Sequence, residues 1–171
     1  AIKVEGRGAG AEILREASRL LPDAWTRASD LAGPMFVAGS SRERAWHYTE
    51  TGSFDFGRTV KLPHFGKVEL KAGTGYSVVH PGDLSAAVHE FAHRIQAVLP
   101  DLDRMFQNEH RNRTGADPLE TLRAVTGAPY GADEVTRKDK YVTPYQGKVY
   151  RGRGALEVMS IGLEYVLGGN M

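Results

Sequence analysis

Apolar residues recur along this chain with two different periods. Ile13, Leu14, Ala17, Leu20 and Leu21 fall on one helical face, so residues 11–21 predict a helix that Pro22 ends. Residues 23–34 are mixed and predict a short helix around Trp25. From residue 35 the pattern turns to short β-rich runs at 35–38, 46–49, 58–62, 67–71 and 76–80. Turn formers separate them, among them Thr51-Gly52-Ser53, Pro63-His64-Phe65-Gly66 and Ala72-Gly73-Thr74-Gly75. That alternation predicts a small antiparallel or mixed sheet of hairpins. Leu84, Val88, Phe91, Ile95 and Val98 then recur at helical steps, with Asp83 as a candidate N-cap and Pro100 as the stop.

The C-terminal half is less regular. Asp101 is placed to cap a helix carrying Leu102, Met105 and Phe106, which fades into the polar run 108–114. Residues 118–125 read as helical, Ala128-Pro129-Tyr130-Gly131 as a turn, and 138–150 as a loop or ragged hairpin. Residues 155–167 predict a last helix, closed by Gly168-Gly169. That helix is apolar around most of its circumference, as a buried helix is, and its polar strip is Glu157, Ser160 and Glu164. The expected fold is α+β: a small, mostly antiparallel sheet packed on the 84–98 helix and a buried C-terminal helix.

At 171 residues, with no linker-like stretch and no repeat, the chain is expected to form a single domain, 1–171. A net charge of +1 favours neither nucleic acid nor an acidic membrane. No apolar run reaches membrane-spanning length, and no signal peptide is visible. The start at Ala1 reads as a processed product or a domain cut from a longer protein. Cysteine is absent, which excludes disulfides and leaves only histidine and carboxylate as metal ligands.

The helix at 84–98 contains His89-Glu90-Phe91-Ala92-His93, an H-E-x-x-H sequence. Four residues apart, His89 and His93 project from one side of a helix, beside the apolar stripe. Two imidazoles so placed can bind one Zn²⁺, with Glu90 beside them as general base for an activated water. The plain alternative is an amphipathic helix on which all three are surface polar groups.

A catalytic zinc needs a third protein ligand. The extended pattern H-E-x-x-H-x-x-G-x-x-H is excluded, because Gln96 and Leu99 stand at its glycine and last histidine. Asp101, Asp103, Glu109, His110, Glu120, Glu157 and Glu164 remain. Glu157 is favoured. A carboxylate on a buried helix is costly unless paired or metal-bound, and Glu157 lies at the loop end of its helix. Glu164 lies about 10 Å further along the same face, so both can hardly bind one ion. It reads as the partner of an arginine or of a ligand histidine. Asp101 reads as a cap, and His110 as part of a solvated helix end.

These residues resemble the zincins whose third ligand is a glutamate on a downstream helix, and among them the catalytic domain of anthrax lethal factor and its relatives. The resemblance rests on His89-Glu90-Phe91-Ala92-His93 and on Tyr150-Arg151-Gly152-Arg153-Gly154-Ala155-Leu156-Glu157. Residues 140–150 and 157–164 are also similar to metallopeptidase-like domains of phage head-morphogenesis proteins and bacterial polymorphic toxins. The specific part covers residues 84–167, and the first 80 residues carry no assignable motif. The resemblance implies a zincin-like fold and a zinc metallopeptidase with His89, His93 and Glu157 as ligands and Glu90 as general base. It implies that Tyr150, seven residues before Glu157, donates to the developing oxyanion. A tyrosine suits that role because its O–H adds no charge to the resting site, and Tyr145 also qualifies by position.

The implied partner is a protein or peptide substrate. The implied setting is a bacterial toxin or effector delivered by a secretion system, or a phage particle. The alternative is a virion- or toxin-associated binding domain with a structural zinc and no peptidase activity. Arg137, Lys138, Lys140, Lys148, Arg151 and Arg153 alternate with Tyr141, Tyr145 and Tyr150, which permits nucleic-acid contact. A solvated loop is the preferred reading of that run.

Overall fold

The structure, a computed structural model, describes residues 1–50 and 58–169. The expected turn at Thr51-Gly52-Ser53 lies outside the described residues. Two compact units divide the chain, one formed by residues 1–99 and 163–171, the other by 100–162. The fold is α+β, with small and mostly antiparallel sheets.

In the first unit, α1 (Ala9–Arg19) and α2 (Asp23–Ala32) precede five strands. These are β1 (Met35–Gly39), β2 (Trp46–Thr49), β3 (Arg58–Leu62), β4 (Gly66–Leu70) and β5 (Gly75–Val79). Each matches its apolar run to within a residue or so. β5 is buried at all five positions because it is the middle strand of the sheet β1-β5-β2. Its pairing with β1 is parallel and with β2 antiparallel, so this sheet is mixed. β3 and β4 form a separate antiparallel hairpin. Phe65, at the hairpin turn, packs edge-on against Phe36 and Tyr76.

The helix predicted at 84–98 is α3 (Leu84–Val98). Asp83 caps it by accepting a 2.9 Å hydrogen bond from the Ala86 amide. Ala87, Val88, Phe91 and Ile95 are fully buried where α3 packs on α1, α2, β2 and β5. The neighbour of the second motif histidine, Arg94, is also fully buried. Its guanidinium donates to the Ser29 hydroxyl and carbonyl and to the carbonyls of Gly33 and Gly73, at 2.6–3.2 Å. Burial lowers its pKa to about 10, so it stays charged at neutral pH. The approach is tight: a Cβ on Gly73, whose φ is 84°, would sit 1.9 Å from the Ala32 carbonyl oxygen. Arg94→Met strands those acceptors without donors. It is expected to lower unfolding free energy by about 3 kcal/mol or more, read from the urea midpoint.

The second unit opens with α4 (Pro100–Thr114). Because that helix starts at Pro100, Asp101 lies inside its first turn, where it ion-pairs with Arg104, and is not its N-cap. The polar run 108–114 is helical to Thr114. His110 is buried there rather than solvated, donating to the Gly147 carbonyl and stacking on Tyr141. The region expected to be helical from 118 divides into β6 (Glu120–Thr121) and α5 (Leu122–Thr126). β7 (Val135–Thr136), a 3-10 turn (Pro144–Gly147), β8 (Lys148–Tyr150) and β9 (Gly154–Ala155) follow. They complete an antiparallel sheet in the order β6-β7-β8-β9.

The last helix, α6 (Glu157–Leu167), is a continuous element that belongs to the second unit up to Gly162 and to the first from Leu163. It is buried from Glu157 to Ile161, but Val166 is 59% exposed, so the expected burial holds for the first half only. Among the described residues, no helix is long and apolar enough to cross a membrane.

Candidate metal centre

The two motif histidines stand one turn apart on α3, and their Nε2 atoms approach to 3.1 Å. The rings meet edge to face, with their planes inclined at 80°. Two nitrogens bound to one tetrahedral zinc at about 2.0–2.1 Å would lie about 3.3 Å apart, so this spacing fits the ion.

The outer nitrogen of His89 fixes how that ring is used. His89 Nδ1 lies 2.8 Å from Glu164 Oε2, and the other Glu164 oxygen accepts from Ser85 Oγ at 3.1 Å. A carboxylate only accepts, so Nδ1 carries the proton and the Nε2 lone pair is left for a metal. A carboxylate behind a ligand histidine orients the ring and raises its basicity. Of the two partners expected for Glu164, the histidine is the one found. Glu90 follows His89 on α3 and is buried at 5% exposure.

Glu157 is the first residue of α6 and is 1% exposed. Both its oxygens are held: Tyr150 O–H donates to Oε1, and Ser160 Oγ donates to Oε2 at 2.9 Å. Hydroxyls, rather than a basic side chain, satisfy it in these bonds. A carboxylate buried in this way is favoured by a bound cation, which would pair its charge. His89, His93 and Glu157 are a possible metal-binding triad. Among the described residues, that group includes none of Asp101, Asp103, Glu109, His110, Glu120 or Glu164.

Tyr150 is therefore tied to Glu157, and its hydroxyl lies 3.4 Å from that of Tyr145. Burial, then the Glu157 charge and hydrogen bond, push its pKa well above the usual phenol value. Tyr150 is a proton donor at any working pH. The basic run is not a uniformly solvated loop. Arg137 donates to the carbonyls of Thr114 and Asp117, and Lys148 is buried beside Glu134 at 2.7 Å.

Sequence reasoning missed Ser85 and Lys148 as members of these networks. Ser85 could have been found from its position one turn before His89. Lys148 carried no such signal, since nothing local distinguishes it from its basic neighbours.

A further polar cluster lies in the first unit. His47 sits 2.7 Å from Ser77 Oγ and 2.6 Å from Thr49 Oγ1. Burial, followed by electrostatic repulsion from Arg94 and then His93, holds its pKa well below the ordinary value. The unfolded chain takes up this proton near pH 6.5 and the folded chain does not. Its contribution is therefore present above about pH 6.5 and is lost as pH falls through that value towards the folded pKa. In chelator-treated protein, His47→Gln is expected to flatten the fall of the melting midpoint between about pH 6.5 and 5. An unchanged slope would contradict a neutral His47.

No family model matches the chain, and no curated protein or solved structure is significantly similar to it.

Proposed function

We propose that this chain is a zinc-dependent endopeptidase of zincin-like design, a toxin, effector or phage-associated protease in the setting its motifs resemble. The observation that carries the reading is the facing pair of His89 and His93 Nε2 atoms, with Glu164 fixing the proton of His89 on Nδ1. That tautomer leaves the His89 Nε2 lone pair facing His93, where it can accept from His93 Nε2–H in the metal-free protein and can bind a metal when one is present. Glu157 supplies the third ligand and a negative charge, giving two nitrogens and one oxygen, a set used by catalytic zinc. When bound, zinc supplies a Lewis acid for the scissile carbonyl and lowers the pKa of water at the site.

The chain's own residues do the rest. Glu90 takes the proton of the attacking water and returns it to the leaving amine. Tyr150, held protonated, donates to the developing oxyanion as its bond to Glu157 is exchanged. Among the described residues β2, which packs on α3, is a terminal strand of its sheet, and its edge is the one suited to an extended peptide.

The test joins metal content to cleavage. Protein purified without chelator is expected to carry about one zinc per chain and to cut peptides from a denatured proteome. Chelation abolishes cutting and added zinc restores it. Cleavage by the metal-free protein ends the proposal. Bound zinc without any cleavage favours a structural ion in a binding domain.

A further inference from the structure

The Lys148 side chain is buried, 7% exposed, in a strand that also carries Tyr150. Its ammonium lies 4.6 Å from the ring centroid of Tyr150 and 4.8 Å from that of Tyr145. It also donates to the Tyr145 hydroxyl at 3.4 Å and to Glu134 Oε1 at 2.7 Å. Glu134 is itself fixed, since its other oxygen accepts from the Gly131 amide at 2.8 Å. Tyr130, one residue earlier, stacks on the Tyr145 ring at 5.8 Å. The turn at 128–134 thus grips the tyrosine pair twice, through Glu134–Lys148 and through Tyr130–Tyr145.

A buried lysine is costly, and the ion pair to Glu134 offsets that cost without itself requiring aromatic neighbours. Its place against two aromatic faces needs another reason. A cation against a ring face is attracted by the ring's quadrupole, which restrains where that ring can lie. Here the two restrained rings bring their hydroxyls to 3.4 Å, and one of those hydroxyls donates to Glu157. Tyr150 has three rotatable bonds between its backbone and its hydroxyl proton, and the Lys148 contact removes the freedom of its ring.

We propose that Lys148, anchored by Glu134, is a positioning residue that holds Tyr145 and Tyr150 side by side so that the Tyr150 hydroxyl meets Glu157. It deepens the metal-site reading above and rests on it only for its catalytic consequence. The turn at 128–134, far in sequence from the histidines, thereby sets the geometry of the glutamate's hydrogen bond. Lys148 touches no ligand, so it acts through Tyr150.

The experiment compares Lys148→Met, Lys148→Arg and Glu134→Gln in the full chain. The first readout is the ring resonances of Tyr145 and Tyr150 in metal-free protein labelled with ¹³C-tyrosine, assigned by Tyr→Phe variants. Lys148→Met is expected to shift both pairs and speed their ring flips, Glu134→Gln to do so in part, and Lys148→Arg to restore them. This readout needs neither metal nor activity, so it stands even where the peptidase reading fails. The second readout is zinc affinity by chelator competition. Lys148→Met is expected to weaken it about tenfold, as outer-shell changes do. Tyr150→Phe should match it, and the double variant should be no worse than Tyr150→Phe alone. Unmoved tyrosine resonances in both Lys148→Met and Glu134→Gln would overturn the proposal. So would additive losses in the double variant. Glu134→Gln keeps the test open where Lys148→Met fails to fold, since it retains the lysine and the Gly131 contact.

Discussion

Glu157→Ala is expected to abolish tight zinc binding, whereas Glu164→Ala weakens it by about 10–100-fold. The difference follows from where each carboxylate reaches. Glu157 is the proposed third ligand, so its loss leaves two protein ligands. Glu164 meets His89 at its far nitrogen, so its loss frees the ring and lowers its basicity without removing a ligand. Glu157→Ala also leaves the hydroxyls of Tyr150 and Ser160 without their acceptor. Glu157→Gln keeps volume and an acceptor, which separates metal loss from misfolding. Competition with a chromogenic chelator reads the affinities, and the unfolding midpoint of each metal-free protein reads the structural part. If Glu164→Ala loses the metal and Glu157→Ala keeps it, the helix is right and the turn is wrong. If both keep it, the third ligand lies elsewhere.

Glu90→Gln is expected to keep the zinc and lower kcat by about 10²–10⁴-fold, the usual contribution of a positioned general base. The substitution is nearly isosteric, which matters for a side chain only 5% exposed on a helix packed into its unit. It spares His89, His93 and Glu157. Substrate binding is unaffected to first order, so KM should stay close to that of the unaltered protein and the loss should fall on kcat. The measurement pairs zinc stoichiometry with steady-state kinetics on any peptide the protein cuts. Full activity would remove Glu90 from the mechanism. Loss of the metal would make it a structural group of the site.

Much of this molecule was legible because it depends on local periodicity. The strands at 46–49 and 58–62 and the helix from Leu84 to Val98 follow from which neighbours on one face are apolar. That two histidines four apart face one point follows from helix geometry alone. Two carboxylates stand on that mostly apolar helix, and the position of Glu157 at its loop end favoured it over Glu164. Boundaries were less legible where a proline both ends one helix and begins the next, as at Pro100, which moved Asp101 from cap to first turn.

Choices of partner were decided only in three dimensions. The parallel pairing of β1 with β5 joins segments about forty residues apart, and no local signal distinguishes it from a hairpin. Glu164 could have met an arginine or a histidine, and packing of α6 in the first unit selected His89. His110 and Lys148 stand in polar, basic stretches that look solvated, yet each is buried against tyrosines. The physical reason is common to all of these. Period and turn chemistry are properties of neighbouring residues, so the sequence by itself determines the elements and the faces they bury. Which face meets which depends on shape and hydrogen-bond satisfaction summed over distant segments, and that exists only once the chain has packed.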